Sequence, residues 1–275
     1  MTPLPPVARD ELVATRRDLH AHPELGFEET RTAALVAARL ERLGYAVWNE
    51  IPVGTIGLMA GPVMAAVDRF DVTIHGRGGH AAAPHQAVDP VVVAAHVVTA
   101  LQTPVSRARD PAEEAVVSVT AVRAGEAFNV IPDRAGLCGT VRSFPGRFHE
   151  EAPALVRRAV EHVARAFGAQ AEVRYAPLSG PVVNDPAMTE LMRGVAAEIV
   201  GPDAVLPGVR TLGGEDMAFF LAAVPGAFAF VGSAPRGRAG APHHSPGFDI
   251  DEDALVIGTE LLTRTAARYL ETVTG

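Results

Sequence analysis

The sequence predicts an α/β protein in which one discontinuous α/β domain is interrupted by a complete βαββαβ unit. Three observations carry that expectation. Phe70, Val72 and Ile74 alternate with Asp71, Thr73 and His75, the period-2 pattern of a half-buried strand. The chain then runs through the glycine-rich stretch Gly76 to His85 into Asp89-Pro90, a natural N-cap and first helical residue that open an apolar run to Leu101. Past Pro181 the texture returns to the longer helices and short buried strands of the first third.

Composition sets the bounds. With 275 residues the chain can form one large or two ordinary domains. Hydrophobic content of 48% with 5% aromatic residues makes the core one of Ala, Val and Leu. The net charge of -8 argues against a nucleic-acid surface, and no apolar run reaches membrane-spanning length. Every basic residue is arginine, which excludes lysine Schiff-base chemistry. Cys138 is the sole cysteine, so no intrachain disulfide can form; in its apolar stretch it is expected as a small buried residue. Thr2 to Pro6 lacks the pattern of a signal peptide, and a soluble cytoplasmic protein is expected.

Taken in order, Val7 to Leu19 predicts a helix ending at Pro23, with His20 and His22 as cations near its C-terminus. A second helix is expected from about Glu28 or Thr30 to Leu43, with Gly44 as its stop and a strand beginning at Tyr45. Trp48-Asn49-Glu50 then runs into the loop-like piece Ile51 to Thr55. Such a chain should next lay down several core strands with crossovers, and only one short strand is provided. From Arg69 the order is strand 69–76, helix 89–102, strands 115–123 and 135–143, helix 149–166 and strand 171–176, a ferredoxin-like arrangement. In the second strand Val117, Val119 and Ala121 are expected to share a face. Later elements are a helix from Pro186 to Val200 capped by Asn184 or Asp185, a shorter one opened by Gly213-Gly214-Glu215-Asp216, a strand 227–231 and a helix from about Asp251 to Leu270.

Few polar residues stand out by spacing. His80 sits in the glycine-rich loop, where backbone can approach a ligand, or where it simply lines a tight turn. Asn129 is an amide between strands, readable as a turn former or a ligand contact. Arg142 is readable as a solvated edge charge or a carboxylate clamp. Glu215 and Asp216 lie at a helix start, where the dipole favours acids, and His243-His244 is the best metal-ligand candidate.

Six segments nevertheless match one pattern in order: Arg16 to Thr30, Gly78 to His85, Phe128 to Pro132, Gly139 to Arg142, Gly213 to Asp216 and His244-Ser245-Pro246. Together they resemble the M20 family of metal-dependent amidohydrolases, in the branch of hippurate hydrolases and N-acyl-amino-acid amidohydrolases. The resemblance implies a catalytic α/β domain with two divalent ions (zinc, manganese or cobalt) over 1–67 and 179–275, interrupted by a ferredoxin-like lid over 68–178 that forms a homodimer. It implies that metal-activated water cleaves the amide of an N-acyl amino acid. His80 then matches the lid histidine that helps stabilise the oxyanion in a neighbouring subunit's site, Asn129 and Arg142 match substrate contacts, and His244 matches a metal ligand. It further implies a missing internal segment of roughly a hundred residues near 47–50, holding the other metal ligands and the glutamate that deprotonates water. The alternatives are a non-catalytic, carboxylate-binding module and a deletion or gene-prediction product.

Overall fold

The computed structural model describes residues 9–23, 31, 47–235 and 247–274. In chain order the elements are α1 (Arg9–Ala21), β1 (Val47–Pro52), β2 (Ile56–Gly57), β3 (Gly61–Met64), β4 (Ala66–His75), β5 (Gly79–His80), α2 (Pro90–Ala100), β6 (Ala115–Ala124), β7 (Val130–Ile131) and β8 (Arg134–Ser143). They continue as α3 (Arg147–Ala166), β9 (Gln170–Ser179), β10 (Val182–Asn184), α4 (Pro186–Val200), β11 (Val205–Leu206), α5 (Met217–Ala223), β12 (Phe230–Ala234) and α6 (Asp253–Thr274). Two compact units result: a host formed by the described residues of Met1–Ala60, Asn184–Val209 and Gly226–Gly275, and an insert formed by Gly61–Val183 and Arg210–Pro225.

The insert is built on a four-stranded sheet of order β6-β8-β4-β9 with every neighbouring pair antiparallel. The alternation read from β4 sets its two faces. Phe70, Val72 and Ile74 are buried, and they meet Val93 and Val97 of α2 and Val156 and Val160 of α3 in one core. Both helices start as their sequences dictate. Asp89 accepts a bond from the Val91 amide at 2.9 Å with Pro90 in the first turn, and Glu113 reaches from outside α3 to accept from the Phe148 amide at 3.0 Å.

Two local expectations are corrected by the structure. Val117 and Val119 face the helices, but a bulge between Val119 and Ala121 sets Ala121 opposite Cys138, on the other face. Cys138 is half-exposed rather than buried, because Leu137 and Gly139 on either side take the helix-covered face and strand parity sends the thiol to the open one. By its contacts Arg210–Pro225 groups with the insert: the Thr211 amide donates to the Val63 carbonyl at 3.0 Å and the Ala65 amide to the Gly213 carbonyl at 3.0 Å.

The host carries a sheet of order β1-β12-β2-β11 over Ile56, Leu58, Met192, Val195 and Leu261. Trp48 to Pro52, expected to pass straight into a loop, belongs to β1; the loop begins only where the Thr55 amide turns back to the Pro52 carbonyl. The strand expected at 227–231 lies at Phe230–Ala234. The sheet is mixed: β12 pairs parallel with β1 and antiparallel with β2. Asp185 is the N-cap of α4, and the neighbouring Asn184 binds backbone elsewhere in the host. Its amide nitrogen donates to the Met59 and Phe228 carbonyls at 2.9 and 2.8 Å, and its oxygen accepts from the Phe228 amide at 2.7 Å. Arg9, Arg16 and Arg17 of α1 pair with Asp253, Asp249 and Glu252 around the start of α6, and the His22 ring donates to the Asp18 carbonyl at the end of α1. The expected second helix (28–43) and Tyr45 lie outside the described residues, except Arg31, whose guanidinium meets Asp18.

Candidate functional site

The insert brings the expected residues together at two places. At the first, the glycine-rich loop after β4 is zipped to the segment before β8. The Gly76 amide donates to the Asp133 carbonyl at 2.9 Å, β5 pairs with β7 so that His80 faces Val130, and the Ala81 amide donates to the Asn129 carbonyl at 3.1 Å. Gly78 makes this approach feasible: a Cβ there would lie 2.7 Å from the Ile131 carbonyl oxygen. His80 and Asn129 are thus neighbours on exposed loops, as is Phe128, which is 100% exposed.

The orientation of the His80 ring follows from one bond. Its Nδ1 accepts from the Ala82 amide at 3.0 Å, so the proton of the neutral ring sits on Nε2 and that nitrogen is a donor. A ring anchored in this way is a directional hydrogen-bond donor on an exposed loop, suited to an oxygen that gains negative charge.

At the second place, Arg142 donates from Nη1 to the Leu212 carbonyl at 3.2 Å, a half-buried contact. Leu212 leads into Gly213-Gly214-Glu215-Asp216, where the Glu215 carboxyl accepts from the Asp216 amide at 3.1 Å. Burial, and then the Asp216 carboxyl beside it, push Glu215 up to about 7; the amides of Met217 and Asp216 pull the other way.

The two places stand apart within one chain. Arg142 is opposite Val67 near the start of β4, whereas His80 follows the end of that strand at His75. Eight residues of strand correspond to roughly 27 Å, so one copy of the insert does not assemble His80, Asn129 and Arg142 around a single small ligand. His244, with His243, lies outside the described residues. Among the described residues no group of three or more His, Cys, Asp or Glu is arranged to hold a metal ion, so those residues alone do not fit a two-metal centre. No helix among them is long and apolar enough to cross a membrane.

Two polar pairs escape a reading of the sequence. Tyr175 bonds to Asp68, and Ser143 lies 3.0 Å from Nδ1 of His149. The only available sign is a carboxylate in phase with the apolar residues of a strand, Asp68 with Phe70, Val72 and Ile74.

Comparison with known proteins adds an independent line. Residues 28–268 match the profile of peptidase family M20/M25/M40. The chain is 38% identical over 224 residues to an N-acetylcysteine deacetylase of Bacillus subtilis, covering 82% of this chain and 57% of that protein. It is 34% identical over 232 residues to IAA-amino acid hydrolase ILR1-like 4 of Arabidopsis thaliana, covering 82% of this chain and 53% of that one. Among solved structures, the YXEP protein of Bacillus subtilis, described as a dinuclear metal binding peptidase from the M20 family, superposes with a TM-score of 0.65 at 32% identity, covering 88% of this chain and 61% of that one. The chain spans about half the length of the curated relatives it matches.

Proposed function

Because this chain belongs to peptidase family M20/M25/M40, we propose that it carries the amide-recognition part of an amidohydrolase for N-acyl amino acids of the hippurate type, and that in its present form it binds such carboxylates without efficiently cleaving them. Relatives named as a deacetylase of N-acetylcysteine and a hydrolase of amino-acid conjugates support the substrate class. The observation that carries the reading is the anchored His80 ring, whose Nε2–H is a ready donor to an amide carbonyl oxygen, next to the Asn129 loop. Arg142 keeps guanidinium donors beyond the one given to Leu212, and a planar fork of donors suits a ligand carboxylate.

The insert has the strand order and helix placement of a ferredoxin-like lid, which supports reading 68–178 as the lid and 1–67 with 179–275 as the remainder of a catalytic domain. The distance between His80 and Arg142 supports a homodimer in which the lid of one copy serves its partner. In the family two divalent ions, zinc, manganese or cobalt, supply the activated water. Here His244 is the one motif-level ligand, and the internal segment near 47–50 that would supply the others is missing, in keeping with the share of each relative that is covered.

The experiment is to dialyse the full chain, supply zinc, manganese or cobalt, and measure bound metal, turnover of hippurate and N-acetylcysteine, and binding of hippurate by calorimetry. We expect far less than two metal equivalents, no turnover, and binding that is lost both in His80→Ala and when the ligand carboxylate is replaced by an amide. Two tightly held ions with turnover abolished by His244→Ala would overturn the impaired reading, and failure to bind any N-acyl amino acid would overturn the substrate class.

A further inference from the structure

The segment from Thr211 to Asp216 has no regular element of its own until α5 begins at Met217, yet it is held from three sides. Its backbone is laced to the start of the sheet by the Thr211–Val63 and Ala65–Gly213 bonds, each 3.0 Å. Within it, the Gly213 amide donates to the Thr211 hydroxyl at 3.1 Å. Gly214 lies so close to β4 that a Cβ would sit 2.2 Å from Cγ2 of Val67. The Leu212 carbonyl takes no part in this lacing, and the guanidinium of Arg142 is what satisfies it. An arginine reaching out to a ligand alone has no need of that bond, whereas an extended segment with an otherwise unmet carbonyl does.

We propose that Arg142 is a positioning residue: through the Leu212 carbonyl it holds the Gly213–Asp216 turn against the start of β4, and in doing so fixes Glu215 and Asp216 as a juxtaposed acid pair. This does not depend on whether the chain turns over an amide. Against Gly213 and Gly214 the strands present Met64, Val67 and Ser179, which are uncharged; among the described residues the charged groups of the turn and its anchors are Glu215, Asp216, Arg142 on β8, and Arg210, which is engaged by Glu114 and lies over the Phe144 ring. The amides at the start of α5 are the remaining polar neighbours. Arg142 bonds the Leu212 carbonyl and neither carboxyl of the pair, so its influence on Glu215 runs through the position of the turn.

That separation makes the test decisive in sign. Removing a nearby cation by itself can only raise the pKa of a carboxyl, whereas releasing the turn into water lowers a value that burial had raised. The full chain, carbon-13 labelled, is titrated by NMR, with the Glu215 carboxyl identified by its loss in Glu215→Gln. In the unmodified chain its midpoint should be near 7. In Arg142→Ala it should fall by about one pH unit or more toward the ordinary value near 4.3, and Arg142→Lys, which keeps a donor of similar reach, should restore part of the shift. Gly214→Ala pushes the turn off Val67 and leaves the Arg142 side chain in place, and should lower the midpoint in the same way; it carries the test if Arg142→Ala fails to fold. Retained amide protection along β4 and β8 checks the fold. A midpoint that stays or rises in Arg142→Ala, one unmoved in Gly214→Ala, or a Glu215 that titrates as an ordinary carboxylate in the unmodified chain would each overturn the proposal.

Discussion

The hydroxyl of Tyr175 donates a 2.7 Å hydrogen bond to the Asp68 carboxyl, which is 4% exposed on the helix-covered face of the inserted sheet. A carboxyl there is costly unless it is met by a donor, and the phenol two strand positions from its register partner Pro177 supplies one. Tyr175→Phe keeps the ring and removes the donor, so the buried oxygen is stranded. We expect a loss of about 1–3 kcal/mol, measured as a lower urea midpoint with unchanged slope. Burial first, and then the bond to Asp68, hold the Tyr175 hydroxyl far above its ordinary range. A group raised in the folded state contributes stability that is complete below its unfolded value and lost as pH rises past it. Stability should therefore decline above about pH 10, and Tyr175→Phe should blunt that decline.

Glu215 gives a second pH dependence, in a lower window. Its folded value is pushed up to about 7, above that of a carboxyl in the unfolded chain. The folded state therefore favours the protonated acid, and this contribution is full below the unfolded value and disappears as pH rises through about 7. Denaturation midpoints should fall between about pH 4 and pH 7 in the unmodified chain, the window set by those two values. In Glu215→Gln the same interval should be flatter. An unchanged slope would show that Glu215 does not carry the effect.

Gly78 tests the anchoring of His80. A methyl group at this position meets the Ile131 carbonyl at 2.7 Å and must part β5 from β7. In Gly78→Ala the Ala81 amide, bonded to the Asn129 carbonyl, should exchange its hydrogen much faster, while amides of β4 and β8 keep their protection. Equal slowing or equal loss across both regions would mean that the loop pair is not a separate unit of stability.

Asn184 meets three backbone groups with one side chain. Asn184→Leu fills a similar volume and satisfies none of them. Because each abandoned group is in a buried setting, the expected cost is on the order of 3 kcal/mol or more. Thermal unfolding of the full chain, followed by circular dichroism, should show an early loss of structure.

What is legible in the residue pattern follows the range of the forces involved. The faces of β4 and the cap at Asp89 are set by neighbours within a turn or two of chain, and both are visible in the sequence. The bulge at Thr120 is invisible there, because the alternation of Val117, Val119 and Ala121 continues through it and only the register against β8 shows the slip. Cys138 differs from expectation for a related reason: an apolar stretch does not say which of its residues face the helices. Asn129 beside Ala81, Arg142 on Leu212 and Tyr175 on Asp68 join residues separated by 48, 70 and 107 positions, differences of their residue numbers, and no local pattern encodes such pairings. His80 stands out by its loop, but the donor nitrogen of its ring does not, since that depends on one amide at Ala82.

The chain passes between host and insert at four points, after Ala60, Val183, Val209 and Pro225. Within the host, Met59 and Asn184, the lips of the first cut, are joined by the Asn184 side chain, which also grips Phe228; the Asp185 amide meanwhile donates to the Gly226 carbonyl at 2.9 Å. Three of those four severed ends are therefore sutured by two consecutive residues that belong to the host itself. Excising 61–183 and rejoining the lips with a short linker removes nothing from that suture, so the frame closes its own gap with bonds that draw on no residue of the excursion.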